Sequence, residues 1–249
     1  MPVVDFIRQA GSPALYTPPE WPLQNCVVAV TSREGGVSAG PYESFNLGAH
    51  VGDNSAAVAA NALMLSGAFR GEAIAFVSQV HGATVVEAET IDSRTEGDAI
   101  MLRRGAAGVR VADCVPIAII DPVQHAAVII HAGWRGHAAG VIEAAAAQLG
   151  GQPSDWLAVV GPSISGAAYQ VGHDVIDADS RFFSFATPDS EGKFLLDLRA
   201  LTRSTLADLG VDDERQWISS QVTDGGKTFF SDRAQRPCGR FAMIVSWQS

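Results

Sequence analysis

Apolar residues along this chain come in short blocks cut by glycine, proline and aspartate. Positions 27–31 form an apolar block of strand composition, and the glycine-rich stretch 32–46 that follows reads as a loop. Small and apolar residues then run over Ser55–Ala68. Asp53 or Asn54 ahead of them offers a short side chain to the first unpaired amides, so a helix is predicted there. Positions 73–79 and 84–88 read as strands around a tight His81-Gly82 turn. Positions 108–120 and 125–130 read as two more, joined at Asp121-Pro122. An alanine-rich segment, 135–149, predicts one helix ending at Gly150-Gly151. A strand at 156–160, a loop opening at Gly161-Pro162, an amphipathic helix at 197–209 stopped by Gly210 and a closing strand at 240–247 complete the reading. There is no repeat and no long linker. The pattern predicts one α+β domain with mixed sheets over residues 1–249, with 1–25 as a proline-marked lead-in.

Composition narrows the class. At 249 residues, 47% hydrophobic and 18% charged, the chain is long enough to bury a substantial core. Its formal net charge of −10 lacks the positive footprint that a non-specific nucleic-acid binder or a polybasic membrane anchor needs. No apolar run approaches the length of a membrane span, and Asp5 and Arg8 interrupt the first apolar stretch, unlike a secretory signal. Three cysteines, Cys26, Cys114 and Cys238, cannot make a disulfide framework. The expectation is a cytoplasmic protein with no nucleic-acid or membrane partner, in which any working cysteine acts as a thiolate.

Chemistry concentrates in three segments, Gln79-Val80-His81-Gly82, Asp113-Cys114-Val115-Pro116 and His131-Ala132-Gly133-Trp134-Arg135-Gly136. Their His, Cys and His stand 33 and 17 residues apart, too far for a zinc knuckle, so the fold would have to assemble them. Two imidazoles and one thiolate suit Zn²⁺ and leave a fourth tetrahedral position open, as in catalytic zinc sites. The same residues also fit a cysteine nucleophile, Cys114, with His81 or His131 as base and Asp113 nearby. Both readings need the same ionised sulfur, and the sequence leaves them open.

Other patterns fail. Gly225-Gly226-Lys227-Thr228 has Gln221 where a phosphate-cradling loop needs its first glycine. Gly161-Pro162-Ser163-Ile164-Ser165-Gly166 places its second glycine one residue late for a nucleophile elbow. His131 and His137 are six apart and cannot share a helix face as a metal pair.

Ordered blocks over nearly the whole chain resemble the YfiH family, often labelled laccase-domain or polyphenol oxidase proteins. They run from Ser32-Arg33-Glu34-Gly35-Gly36-Val37-Ser38 through Pro41-Tyr42-Glu43-Ser44-Phe45-Asn46-Leu47-Gly48 and His50-Val51-Gly52-Asp53 to the three segments above. Gly161-Pro162-Ser163-Ile164, Tyr169-Gln170-Val171-Gly172 and Phe229-Phe230-Ser231-Asp232-Arg233 continue the match. The chain departs from the family pattern at Gly166-Ala167-Ala168, where cysteines are usual, at 221–224 and at Ala234.

The resemblance implies a mixed α/β sandwich of the cysteine-hydrolase-like YfiH type and one zinc on His81, Cys114 and His131, with Cu²⁺ as a possible substitute. It implies a purine nucleoside phosphorylase acting on adenosine, inosine and methylthioadenosine with phosphate, and adenosine deaminase activity besides. A cysteine- or zinc-dependent hydrolase editing a peptidoglycan precursor is the alternative, and a copper-dependent polyphenol oxidase a weaker one. A multicopper oxidase needs His-x-His pairs, and none of the six histidines here forms one. Phosphorolysis calls for a guanidinium clamp, for which Arg33, Arg135 and Arg233 are candidates. Loop groups near Ser38 add donors, Asp113 is placed to orient a ligand histidine, and Tyr42, Asn46 and Tyr169 are expected substrate contacts.

Overall fold

A computed structural model describes residues 3–248. Two six-stranded sheets lie face to face, with helices on both outer sides. The first sheet runs Ile7–Arg8, Leu15–Thr17, Cys26–Thr31, Phe241–Trp247, Gly105–Val111, Ile74–Ala75. The second runs Gln216–Ile218, Leu157–Val160, Val115–Asp121, Ala126–Ala132, Ala99–Leu102, Val85–Glu87. Both mix parallel and antiparallel pairs, so the mixed α/β expectation holds. Residues predicted as lead-in supply two short strands at the edge of the first sheet.

Side-chain alternation explains the layers. Val28, Val30, Val109, Val111, Met243 and Val245 of the first sheet meet Ile100, Leu102, Ile120, Ile129 and Val159 of the second. The alternate residues of the second sheet, among them Ile117, Ile119, Val128 and Ile130, pack under the helices Val141–Leu149 and Leu198–Asp208. Ala29, Ala106 and Ile244 on the first sheet's outer face pack with Leu65 of the helix Ser55–Ala68. The central strands are buried on both faces, so they read as continuous apolar runs without alternation.

Two predicted elements are each divided. The single strand expected over 108–120 is Gly105–Val111 in one sheet and Val115–Asp121 in the other. The chain changes sheets at Ala112-Asp113-Cys114, where Asp113 has φ +81°. The single helix expected over 135–149 is Trp134–Ala138 and Val141–Leu149, broken at Gly140 with φ +77°. That left-handed conformation suits glycine and ends the helical hydrogen bonding. The strands read at 73–79 and 84–88 shrink to Ile74–Ala75 and Val85–Glu87, because the residues between them turn to carry His81. Ala99–Leu102, which no alternation marks, is a fully buried strand.

Candidate metal centre

The sheet change at Ala112-Asp113-Cys114 sets Cys114 at the rim where the two sheets meet. Val115 pairs with Ala132 and Pro116 with His131, so the residue before Val115 faces the residue after Ala132. Cys114 and Gly133 are therefore neighbours. A Cβ on Gly133 would stand 3.0 Å from the Cys114 sulfur and 3.1 Å from Cδ2 of His81, so only glycine leaves room there for both side chains. His81 enters from the loop ahead of Val85–Glu87, at φ +63°.

Asp98 organises both histidines. Fully buried at the start of Ala99–Leu102, it accepts from the backbone amides of His81 at 2.9 Å and Gly82 at 2.7 Å, and more distantly from Val80 at 3.3 Å. The strand pairing Ala99↔Ile130 brings its carboxylate beside His131, 2.8 Å from Nδ1. With Nδ1–H donated to Asp98, the His131 lone pair lies on Nε2 and faces the cluster. The ligand atoms of His81, Cys114 and His131 lie within 4.8 Å of one another, and the two imidazole rings meet edge to face at 4.7 Å. Two nitrogens, one sulfur and a pocket that a methyl group would fill match the donor set of a three-residue zinc site. Among the described residues this is the one such grouping of His, Cys, Asp or Glu.

Burial by itself would raise the Cys114 thiol, but the charge and hydrogen bond of His131, helped by His81, outweigh it and bring it down to about 6. Burial would lower His131, yet the Cys114 thiolate and Asp98 lift it to about 9. Asp98 itself is held below the usual carboxylate range: burial opposes ionisation, and the His131 and backbone donors overcome that.

The cluster lies in a cleft of about 890 Å³. Of the residues expected to contact substrate, Tyr169 and Arg233 border it. The Arg233 guanidinium lies 5.2 Å over the Tyr169 ring and donates to the Gln170 carbonyl. Asp113 borders it too, but its carboxylate accepts from Thr223 and from the Arg233 amide; the orienting role assigned to it belongs to Asp98. The other expected contacts lie elsewhere. Arg33 spends its guanidinium on the carbonyls of Glu43 and Gly226. Ser38 accepts from the buried Asn61, Tyr42 donates to the Val51 carbonyl, and Asn46 bonds Gly48 and Asp53. Through Asn61, Ser38 and Asn46 tie the 32–46 loop to the helix Ser55–Ala68, Arg33 and Tyr42 pin neighbouring loop backbone, and none of the four lines the cleft. Arg135 is exposed over the Trp134 ring, with Trp134 rather than Arg135 on the cleft wall.

Sequence reasoning missed Asp98, His50, Arg110 and Arg240, which border the cleft or anchor the cluster. Asp98 follows a glycine ahead of a strand that carried no recognisable pattern. Arg110 is an odd charge inside an apolar run, the one signal that could have marked it.

Residues 27–248 match the family model described as multi-copper polyphenol oxidoreductase laccase. A purine nucleoside phosphorylase of Mycobacterium tuberculosis is 37% identical over 86% of this chain and 89% of its own. One from Haemophilus influenzae is 33% identical over 91% and 97%, and the purine nucleoside phosphorylase YfiH of Escherichia coli is 34% identical over 91% and 96%. Among solved structures, a Neisseria meningitidis protein of family DUF152 superposes with a TM-score of 0.88 at 35% identity, covering 94% of this chain and 99% of its own. The hypothetical protein YfiH of Bacillus licheniformis gives 0.88 at 26% identity, over 97% and 99%.

Proposed function

The chain belongs to the multi-copper polyphenol oxidoreductase laccase family, and from that membership we propose that it is a zinc-dependent purine nucleoside phosphorylase. Adenosine, inosine and methylthioadenosine are its proposed substrates, with adenosine deamination as a second activity. The reading rests on the His81, Cys114 and His131 cluster at the edge of a cleft large enough for a nucleoside. The names of the relatives in M. tuberculosis, H. influenzae and E. coli supply the reaction class.

Zinc, when bound by these three residues, supplies Lewis acidity at the reacting end of the cleft. The chain's own residues do the rest. Asp98 fixes the His131 tautomer and the His81 loop, so the donor atoms need little rearrangement. Trp134 and Tyr169 offer aromatic walls against which a purine can stack. In phosphorolysis a phosphate oxygen bonds the anomeric carbon while its bond to the purine nitrogen breaks, and the base leaves with a proton. Arg233, on the cleft wall, offers positive charge to the phosphate. In deamination water replaces the exocyclic amine and ammonia leaves.

The test is chromatography of adenosine with metal-quantified protein, with and without phosphate. Adenine that forms only with phosphate supports the reading; adenosine left intact in both arms overturns it. Full turnover by metal-free protein would remove zinc from it.

One observation favours a second reading. A thiol brought down to about 6 by an adjacent imidazole is also the state of a cysteine nucleophile. A hydrolase acting on a peptidoglycan precursor would use Cys114 in that way. Such an enzyme would keep turnover after chelation and be inactivated by stoichiometric thiol alkylation. Copper in the same donor set would carry the polyphenol oxidation that the family description names, and copper-loaded protein oxidising a phenol under air would support it.

A further inference from the structure

Arg110 is a charged group on the cleft wall that the cluster and its supports do not use. It sits at the penultimate position of Gly105–Val111, one strand end away from Cys114. Its alternation in the sheet turns it away from the inter-sheet core, and its guanidinium lies 4.1 Å over the ring of Phe76. Gly108 makes that stack possible: a Cβ there would stand 2.7 Å from Phe76 Cε1. The Nε of Arg110 is buried without a hydrogen-bond partner, and among the described residues no carboxylate pairs with the side chain. Burial alone depresses it below the usual arginine range. An unpaired, half-buried guanidinium is costly, and apolar side chains of similar volume are commonly as good or better for stability.

His50 and Arg240 border the same cleft. Arg110 pairs with Ala242, two residues along from Arg240, and the Arg240 side chain packs on Gly48, two residues ahead of His50. Asp232, on the same cleft, is engaged by Arg236 and Arg240. Asp113 is engaged by Thr223 and the Arg233 amide. Asp174 belongs to the wall that carries Tyr169. Arg240 donates to the carbonyls of Cys238 and Gly239 and pairs with Asp232, so it borders the region while Arg110 keeps donors to spare.

We propose that Arg110, with Arg240 and His50 beside it, forms an oxyanion subsite that takes a phosphate group in the cleft shared with the His81, Cys114 and His131 cluster. The group is either free phosphate or the phosphoryl end of a nucleotide; both present the same tetrahedral oxygens to a planar guanidinium. This rests on the phosphorylase reading and deepens it: Arg110 holds the phosphate oxygens, Arg233 on the same cleft adds positive charge, and Arg33 and Arg135 do not border the cleft. It does not need turnover to be tested.

The experiment is calorimetric titration of the intact, metal-quantified protein with inorganic phosphate, with adenosine 5′-monophosphate and with adenosine. It compares the natural protein with Arg110→Met and Arg110→Lys. Removing a charge-assisted bidentate contact should weaken phosphate or the monophosphate at least about tenfold in Arg110→Met, with partial retention in Arg110→Lys. Adenosine affinity and metal content should not change. Because Met fills the same volume over Phe76, its melting temperature should equal or exceed that of the natural protein, which separates loss of binding from loss of fold. Loss confined to inorganic phosphate identifies the co-substrate, and loss confined to the monophosphate identifies a nucleotide. If all three ligands bind folded Arg110→Met as they bind the natural protein, or if neither anion binds the natural protein, the subsite is overturned. Anion loss in Arg110→Met together with adenosine left intact in the chromatographic assay would keep the subsite and discard the phosphorylase reading.

Discussion

At the scale of single residues, the cluster depends on two positions that bind no metal themselves. Asp98→Asn keeps the side chain's shape but removes the charge that holds His131 Nδ1–H, and places an amide among donors that already converge on it. Loss of an outer partner of this kind costs metal affinity about 10- to 100-fold. Competition against a chromogenic zinc chelator checks it, and an unchanged affinity would relegate Asp98 to holding the loop. Gly133→Ala drives a methyl into the space between the Cys114 sulfur and His81. Zinc affinity should fall by a comparable factor while circular dichroism and cooperative unfolding persist, since the next layer of packing is untouched. The three ligands were legible in the sequence because His and Cys bordered by small residues at strand ends are chemically conspicuous. Asp98 was not, because its role comes from a strand pairing, Ala99↔Ile130, that no local pattern announces. The loop residues Arg33, Ser38, Tyr42 and Asn46 were misplaced for the complementary reason. A polar residue that pins a loop and one that binds substrate look alike until their partners are known.

Elements were legible where local chemistry governs them. Asn54 caps Ser55–Ala68 by accepting from the amides of Ala56 and Ala57, and Asp197 caps Leu198–Asp208 in the same way through Arg199 and Ala200. Asn54→Ala should cost about 1 kcal/mol of unfolding free energy, read as a lower urea midpoint at unchanged slope. A midpoint within error of the natural protein would show that the first turn is held by packing of Val58 and Asn61 alone. Where tertiary structure governs, the local pattern misled. The run through 108–120 reads as one strand because most of its residues are small or apolar and buried, and hydrophobicity does not record that its halves belong to different sheets. That division has a functional consequence, since a straight strand would leave Cys114 inside the sheet and out of reach of His81.

At the scale of the whole molecule, a buried imidazole between two helices on the second sheet's outer face links stability to pH. His137, 2% exposed in the helix Trp134–Ala138, lies with Nε2 3.3 Å from the Thr202 hydroxyl of Leu198–Asp208. Burial first, then the positive charge of Arg181, lowers it to about 3. A histidine in the unfolded chain titrates near 6.5, so between about 6.5 and 3 the unfolded state takes up a proton that the folded state refuses. Stability from this group is therefore complete above pH 6.5 and is lost as pH falls. The loss approaches 1.4 kcal/mol per pH unit, or about 2 kcal/mol by pH 5. His131, raised rather than lowered, works in the opposite direction and above 6.5, outside this window. His137→Gln removes the titration while keeping a polar group near Thr202. Its unfolding free energy should fall less than the natural protein's between pH 7 and 5, by about 2 kcal/mol in paired urea titrations. Parallel losses in the two proteins would mean that His137 takes its proton without unfolding, and that the contact between the two helices yields at that pH.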